Sequence, residues 1–212
     1  MLLYLNERDY LIMNEIDRWS SCSSRHVRHL AGFSGQRATD RRLKLLINAG
    51  YVERKKYLYG VPSVYFLTFK GKSLIGAPKR KDKVKIEQIV HDMNVIDTAI
   101  FFIKNKNIEL NNIISEKQLH RLDGFGKRKH RPDFVFTNEN TKNSVEIEMS
   151  LKAKNRLEKI IQDNFMGFDV QYWVVPDKQL QIIKVLENSK SVYTNIEILS
   201  LEGVKNYVSG NI

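Results

Sequence analysis

Acidic residues at alternating positions mark the second half of the chain. Glu146 and Glu148 are two residues apart in the run SVEIEMSL (144–151), and Asp133, in RPDFVF (131–136), precedes Glu146 by 13 residues. Alternate residues of a strand share a face, so both glutamates are expected on one face. If the two runs pair as strands, Asp133 and Glu146 converge. A divalent cation with oxygen ligands would then offset the cost of burying the carboxylates.

Basic residues close to these acids give a second interpretation. Plain salt bridges to the acids could replace a metal ion. The candidates for such pairs are Arg131, Lys152, Lys154 and Arg156. The loop 124–133 adds a local basic cluster that could neutralise the acids or hold a phosphate backbone beside them. Its members are Lys127, Arg128, Lys129, His130 and Arg131.

The acidic motif resembles that of the PD-(D/E)xK nuclease superfamily. Pro132-Asp133 matches the first half of the motif and Glu146 the second half. The resemblance implies Mg²⁺ on Asp133 and Glu146, with a water activated to attack a phosphodiester. The superfamily has lysine where this chain has Glu148, and Lys152, or Lys154 on the next helix, would supply the missing cation. The implied catalytic set is therefore Asp133, Glu146, Glu148 and Lys152, although the superfamily fold also occurs in proteins that have lost the chemistry and bind or dimerise.

The first half of the chain carries a different group of chemically suggestive residues. Arg37, Arg41 and Lys44 follow an i, i+4, i+7 spacing, which places them on one face of a helix predicted over 35–48. The opposite face is apolar, so the basic face would be available to the major groove of DNA. The residues of this helix that we expect to contact bases or phosphates are Gln36, Arg37, Thr39, Arg41 and Lys44.

Two β-rich runs, YVERKKYLY (51–59) and SVYFLTF (63–69), follow this helix and predict a two-stranded ribbon. Three helices and a ribbon occur in the order of a winged helix-turn-helix, and the stretch RATDRRLKLLINAGYVERKKYLYGVPSVYFLTFKG (37–71) resembles that family. The resemblance implies contacts from the ribbon to phosphates or the minor groove. The ribbon residues expected to make them are Arg54, Lys55 and Lys56.

The charge distribution agrees with a polyanion-binding first half. The chain has 35 Lys and Arg against 24 Asp and Glu, a net charge of +11. Residues 1–90 hold +10 of this excess and residues 91–212 only +1. The pattern favours a module for nucleic acid joined to a neutral module. A basic solvated surface, or a winged helix that binds protein, would explain the charge without DNA.

The predicted elements that position these residues form two domains. A winged helix-turn-helix is expected over 1–76, a basic linker over 77–83 and a nuclease-like domain over 84–212. The second domain should contain a long helix at 84–106, a polar loop up to His130, and strands and helices around a small mixed sheet. Its predicted strands are 108–115, 131–136, 144–151, 170–175 and 194–201, and its later helices 153–166 and 178–189. The fold class is thus α+β or α/β, with a restriction-endonuclease-like mixed-sheet domain at the C-terminus.

The whole chain also resembles the replication-relaxation family of plasmid and conjugative-element proteins, which joins a winged helix to a domain with a PD…ExE…K…R signature. The residues that carry this resemblance are His91, Pro132, Asp133, Glu146, Glu148, Lys152 or Lys154, and Arg156. It implies a role in the replication, relaxation or conjugative transfer of a mobile element.

These patterns predict a cytoplasmic protein that binds double-stranded DNA as an accessory or regulatory factor. The lone Cys22 excludes an internal disulfide and fits a reducing compartment, and no apolar run approaches a membrane span. The alternatives are a Mg²⁺-dependent endonuclease using Asp133, Glu146 and Glu148, and a transcriptional repressor with a dimerisation or sensor domain. The expected partners are duplex DNA, other transfer or replication proteins and a second copy in a homodimer, without a membrane.

Overall fold

The computed structural model describes residues 3–80, 85–124 and 130–210. The chain divides into two compact units, Met1–Ile96 and Asp97–Ile212. The division falls inside a long helix, and the linker predicted at 77–83 lies partly outside the described residues. Helices combine with two sheets, which confirms the α+β class. Among the described residues, no helix has the length and apolar character to cross a membrane.

The first unit combines capped helices with a small antiparallel sheet. Asn6, Ser23 and Thr68 each accept a hydrogen bond from a backbone N–H of the helix that they cap, as short polar residues at helix starts commonly do. Neither the short strand at Cys22 nor the short helix after Thr68 was predicted from the sequence. The elements are α1 (Glu7–Arg18), β1 (Cys22–Ser23), α2 (Ser24–Leu30), α3 (Gln36–Asn48), β2 (Val52–Lys55), β3 (Val64–Leu67) and α4 (Phe69–Leu74).

The sheet of the first unit has the order β1-β3-β2 and is antiparallel throughout. Val52 lies opposite Leu67 and Lys55 opposite Val64, so β2 and β3 form the predicted ribbon. Gly71 of α4 packs directly against the backbone of Tyr51, the residue before β2. A Cβ at position 71 would lie 2.2 Å from the Tyr51 carbonyl oxygen. The backbone of α4 can therefore approach Tyr51 this closely only because residue 71 has no side chain. The buried apolar side chains of this unit include Ile12, Met13, Ile16, Leu43, Leu46 and Phe66.

Glu15 is a buried carboxylate within this apolar core. Trp19 Nε1 donates to one of its oxygens at 3.3 Å, and Arg18 Nε lies 3.2 Å from the other. Burial raises the pKa of Glu15 from 4.5 to about 7, and the opposing effects of Arg18 and Trp19 do not cancel that shift. Near neutral pH the folded chain therefore holds a proton on Glu15 that the unfolded chain releases.

The Glu15→Gln substitution is expected to flatten the pH dependence of stability. Because the folded pKa is the higher one, the folded state binds more protons between the two pKa values, and stability falls as the pH rises from 4.5 to about 7. A shift of this size corresponds to about 3 kcal/mol. Urea unfolding at about pH 5 and about pH 8 measures it, and the stability gap between parent and variant should change by that amount. If the difference in free energy of unfolding between parent and variant does not depend on pH, the raised pKa of Glu15 is contradicted.

The second unit is built on a five-stranded mixed sheet of order β4-β5-β6-β7-β8. The first three strands are antiparallel, and β6, β7 and β8 are parallel. The helix α5 (Ile89–Asn105) begins before this unit and continues into it. The remaining elements are β4 (Ile113–Ser115), α6 (Glu116–Asp123), β5 (Phe134–Asn138), β6 (Thr141–Ile147), α7 (Lys154–Gly167), β7 (Val170–Val175), α8 (Leu180–Ser189), β8 (Ile196–Ser200) and α9 (Leu201–Ser209).

Both faces of this sheet are covered. On one face, Phe102 of α5 packs against Phe134, Phe136 and Tyr172, with ring centroids 4.8–6.2 Å apart. On the other face, Trp173 is buried in the cluster formed by α7 and α8. Every residue of 143–148 is consequently buried, including Glu146 and Glu148. Successive side chains of this strand therefore alternate between the two faces of the sheet, and both faces are buried.

Several predicted elements of the second unit were wrong in extent. Residues 116–123, predicted as loop, form α6, which Ser115 and Gln118 start with a reciprocal capping box. The strand predicted over 108–115 is reduced to β4, which follows a short 3₁₀ turn at Leu110–Asn112. The strand predicted over 144–151 runs from Thr141 to Ile147. The last strand ends at Ser200, whose hydroxyl accepts from the Gly203 N–H and begins the unpredicted helix α9.

Candidate functional site

The predicted acids come together at the end of β6. Strands β5 and β6 pair with Phe134 opposite Val145, a register that continues to Asp133 and Glu146. Asp133 Oδ2 accepts a hydrogen bond of 2.7 Å from the Ile147 N–H. The negative charge of Asp133 is one of the causes that raise the pKa of Glu146. The two carboxylates therefore interact electrostatically, as the sequence spacing predicted.

Two residues that the sequence reasoning did not select hold Glu146. His130 Nε2 lies 2.6 Å from Glu146 Oε1, and Asn164 Nδ2 donates to the same oxygen at 3.0 Å. A usable signal existed for Asn164, because it follows Leu157 and Ile161 at i+7 and i+3 and so belongs to the buried stripe of α7. His130 had been considered only as part of a basic loop.

The electrostatics of this site are those of a partly compensated buried charge. Burial is the largest cause that raises the pKa of Glu146, and the charge of Asp133 adds to it. The hydrogen bonds from His130 and Asn164 act in the opposite direction. Burial alone lowers the pKa of His130, but its bond and attraction to Glu146 outweigh burial, and the pKa of His130 lies above its usual value. The pKa values of both groups are therefore raised, and the acids beside His130 favour its protonated form.

Glu148 has a separate partner. Its backbone N–H donates to the Val174 carbonyl at 3.0 Å, which extends the pairing of β6 and β7 beyond the strand end. Its buried carboxylate is in close contact with the ammonium of Lys152, four residues later. Lys152, the predicted cationic member of the catalytic set, is therefore the ion-pair partner of Glu148. Arg131 donates instead to Asp123 at 2.8 Å, and Lys154 lies 3.8 Å from Glu158.

Asp133 and Glu146 are the two residues that the sequence predicted as ligands of a divalent cation. Within residues 3–80, 85–124 and 130–210, no group of three or more His, Cys, Asp or Glu side chains forms a metal site. Mg²⁺ commonly takes one or two carboxylates and completes its shell with water or substrate phosphate. The oxygen donors of this pair fit that chemistry, and a cation here would relieve the repulsion that raises the pKa of Glu146.

The predicted nucleic-acid residues of the first unit divide into exposed and engaged groups. Arg37, Arg41 and Lys44 are exposed on one face of α3, and among the described residues none of the three belongs to an ion pair. Arg54 and Lys56 are also exposed, on the ribbon and its turn. All five side chains are accessible to solvent. We refer to Arg37, Arg41 and Lys44 as the α3 basic face.

Three other predicted contact residues have intramolecular roles. Thr39 is fully buried and its hydroxyl donates to the Gly35 carbonyl at 3.1 Å, so its selection as a base-contacting residue was wrong. Gln36 Nε2 donates to Ser24 and to Asp40, each at 2.9 Å. Lys55 pairs with Glu53 at 2.9 Å and lies over the Phe66 ring. The predicted residues Lys127, Arg128 and Lys129 lie outside the described residues.

The α3 basic face is held in place by a partly buried ion pair on the other side of the helix. Arg42 Nε donates to Asp9 Oδ1 at 2.5 Å, and its terminal nitrogen contacts the second oxygen of the same carboxylate. Arg42 also donates to the Tyr4 carbonyl at 3.0 Å. Asp9 is fully buried at the start of α1. Neighbouring arginines of α3 therefore have different tasks: Arg41 faces solvent and Arg42 connects α3 to α1.

Comparison of the chain with models of protein families and with curated protein sequences gives no match. The resemblance to the replication-relaxation family accordingly stays a prediction.

Proposed function

We propose that this chain is a DNA-binding accessory or regulatory protein of a mobile genetic element, which reads duplex DNA with a winged helix-turn-helix formed by its first unit. The observation that carries the proposal is the α3 basic face: three exposed cations at helical spacing on a helix whose other side is fixed by Arg42 and Asp9. A rigid helix with an exposed basic face suits the major groove. The mobile-element role rests on the resemblance to the replication-relaxation family.

The β2–β3 ribbon supports the same proposal. Its strands pair in regular antiparallel register, and the exposed Arg54 and Lys56 lie near the turn. A cation-bearing hairpin beside a helix can contact phosphates while the helix contacts base edges. The net charge of +10 in residues 1–90 adds long-range attraction to a polyanion.

The test is a salt titration of duplex binding by the full chain. Because cations that contact phosphates release condensed counterions, the logarithm of the association constant should fall linearly with the logarithm of salt, by about 0.9 for each phosphate contact. Fluorescence anisotropy with a labelled duplex of mixed sequence measures this slope. Absence of binding at low salt, or binding without salt dependence, would contradict the proposal.

A second candidate function is a Mg²⁺-dependent endonuclease, which the pairing of Asp133 and Glu146 favours. In this candidate the second unit is a PD-(D/E)xK domain, Asp133 and Glu146 hold the metal, and Glu148 pairs with Lys152. A bound Mg²⁺ would supply an activated water and a Lewis acid for phosphodiester hydrolysis. His130 and Asn164 position the Glu146 carboxylate.

The Asp133→Asn and Glu146→Gln variants test this candidate. Both keep the shape and some hydrogen-bonding capacity of the side chain but remove the negative charge, so metal-dependent nicking of supercoiled plasmid should be lost while duplex affinity stays within about twofold. Agarose gels with Mg²⁺, Mn²⁺ or EDTA measure nicking. Glu158→Gln, an exposed acid of α7, is the matched control and should cut like the parent. If the parent protein does not nick, or if the variants nick like the parent, the endonuclease candidate is contradicted, and Asp133 and Glu146 have a structural role.

A further inference from the structure

The turn between β2 and β3 carries an aromatic side chain with no packing role. Tyr59 is 100% exposed, and the next residue, Gly60, adopts a left-handed φ of +75° that bends the chain at this point. Tyr57, two residues earlier, packs edge-on against Phe66 with ring centroids 6.1 Å apart. Tyr57 therefore stabilises the ribbon, while Tyr59 projects from it.

The surroundings of Tyr59 are basic. Lys56 Nζ lies 5.8 Å from the centre of the Tyr59 ring, and Arg54 is exposed on the strand that leads into the turn. Lys55, in contrast, points back to Glu53 and Phe66. The turn and the strand that leads into it thus combine an aromatic face with exposed cations that can contact phosphates. This combination is used by surfaces that bind unpaired nucleotides, because every base has a π face.

We infer that Tyr59 is a stacking site for an unpaired or unstacked base, so that the chain prefers duplex DNA containing such a base over fully paired duplex. In an intact duplex both faces of a base are covered by its neighbours, and an aromatic ring finds a free face only where pairing or stacking is interrupted. The inference rests on the proposed function, because the α3 basic face would bind the duplex that contains the base on which Tyr59 stacks. Lys56 and Arg54 would bind the phosphates next to the stacked base.

Two duplexes of the same mixed sequence, one fully paired and one with a single unpaired adenine at its centre, test this inference by fluorescence anisotropy. Stacking on one base corresponds to a preference of about tenfold for the unpaired duplex. Tyr59→Ala should abolish this preference and leave affinity for the paired duplex unchanged. Tyr59→Phe should keep it, because stacking requires the ring and not the hydroxyl. Tyr59→Leu is the apolar control and should behave like the alanine variant.

A second readout reports stacking directly. An aminopurine placed at the unpaired position should lose fluorescence when the parent protein or Tyr59→Phe binds, and should keep it with Tyr59→Ala. Because Tyr59 is fully exposed, these variants should unfold at the temperature of the parent.

The outcomes separate this inference from the proposed function. Equal affinity of the parent for both duplexes, or equal weakening of both by Tyr59→Ala, would overturn the stacking site while salt-dependent duplex binding still supported the proposed function. Failure to bind either duplex at low salt would overturn both. A tenfold preference that is lost only when the ring is lost would establish the stacking site.

Discussion

Replacement of Arg37, Arg41 and Lys44 together by glutamate is expected to lower the affinity for duplex DNA by about a thousandfold, roughly tenfold for each reversed charge. The three side chains are exposed and share one face of α3, so the change exchanges attraction to phosphates for repulsion. The slope of the salt titration should also decrease by about 3, since three phosphate contacts are removed. Anisotropy titrations over a range of salt concentrations measure both quantities.

The matched control for this variant places the same charge change elsewhere. Lys159, Lys178 and Lys184 are exposed residues of the second unit, and their replacement by glutamate alters the net charge by the same amount. The net charge falls equally in both triple variants, so the difference between them isolates the charges on and around the α3 basic face. Equal losses of affinity would show that DNA is bound by diffuse charge and would contradict a recognition role for α3.

Replacement of Arg42 by alanine is expected to destabilise the chain by about 3–5 kcal/mol, because it leaves the carboxylate of Asp9 buried without its cation. Asp9 is fully buried, and Arg42 contacts both of its oxygens. Urea unfolding followed by tryptophan fluorescence measures this loss, since Trp19 lies in the first unit and Trp173 in the second. Because Arg42 is not expected to contact DNA itself, the variant should lose affinity for DNA only through displacement of α3.

The neighbouring Arg41→Ala variant is the control for Arg42→Ala. It removes an arginine from the same helix but from the exposed side, so stability should change by less than about 0.5 kcal/mol while DNA affinity falls. A double variant that also replaces Asp9 by asparagine should cost less than the sum of the two single changes, because the uncompensated charge is gone. If Arg42→Ala were no more destabilising than Arg41→Ala, the ion pair would not secure the helix.

Local sequence signals predicted α3 and the β2–β3 ribbon of the first unit, whereas β1 and α4 were not predicted. The helix predicted over 35–48 is found as Gln36–Asn48, because the spacing of its leucines and the Ala49-Gly50 terminus are local properties. The same periodicity could have excluded Thr39, which precedes Leu43 and Leu46 by four and seven residues and so belongs to the buried stripe. A position in the first turns of a helix does not by itself place a side chain on its exposed side, and Thr39 lies on the buried side.

The candidate metal site was predictable only in its short-range part. Strands β5 and β6 are joined by two residues, so the convergence of Asp133 and Glu146 followed from their spacing. The partners of Glu146 lie 16 and 18 residues from it, and Asn164 reaches it only because α7 packs on this face of the sheet. Such contacts depend on tertiary packing, which alternation and periodicity do not encode.

Asp9 serves two helices with one carboxylate. One of its oxygens accepts from the Asn6 N–H at 2.8 Å in the capping box of α1, and both contact Arg42 of α3. If the first turn of α1 frays, Asp9 moves and its contact with Arg42 of α3 is weakened. If α3 separates from α1, the buried carboxylate of Asp9 loses the cation that compensates its charge. The amide protons of these two segments, which are far apart in sequence, should therefore exchange with solvent as one cooperative unit. The free energy of local unfolding of α3, the helix proposed to read DNA, should then equal that of the first turn of α1.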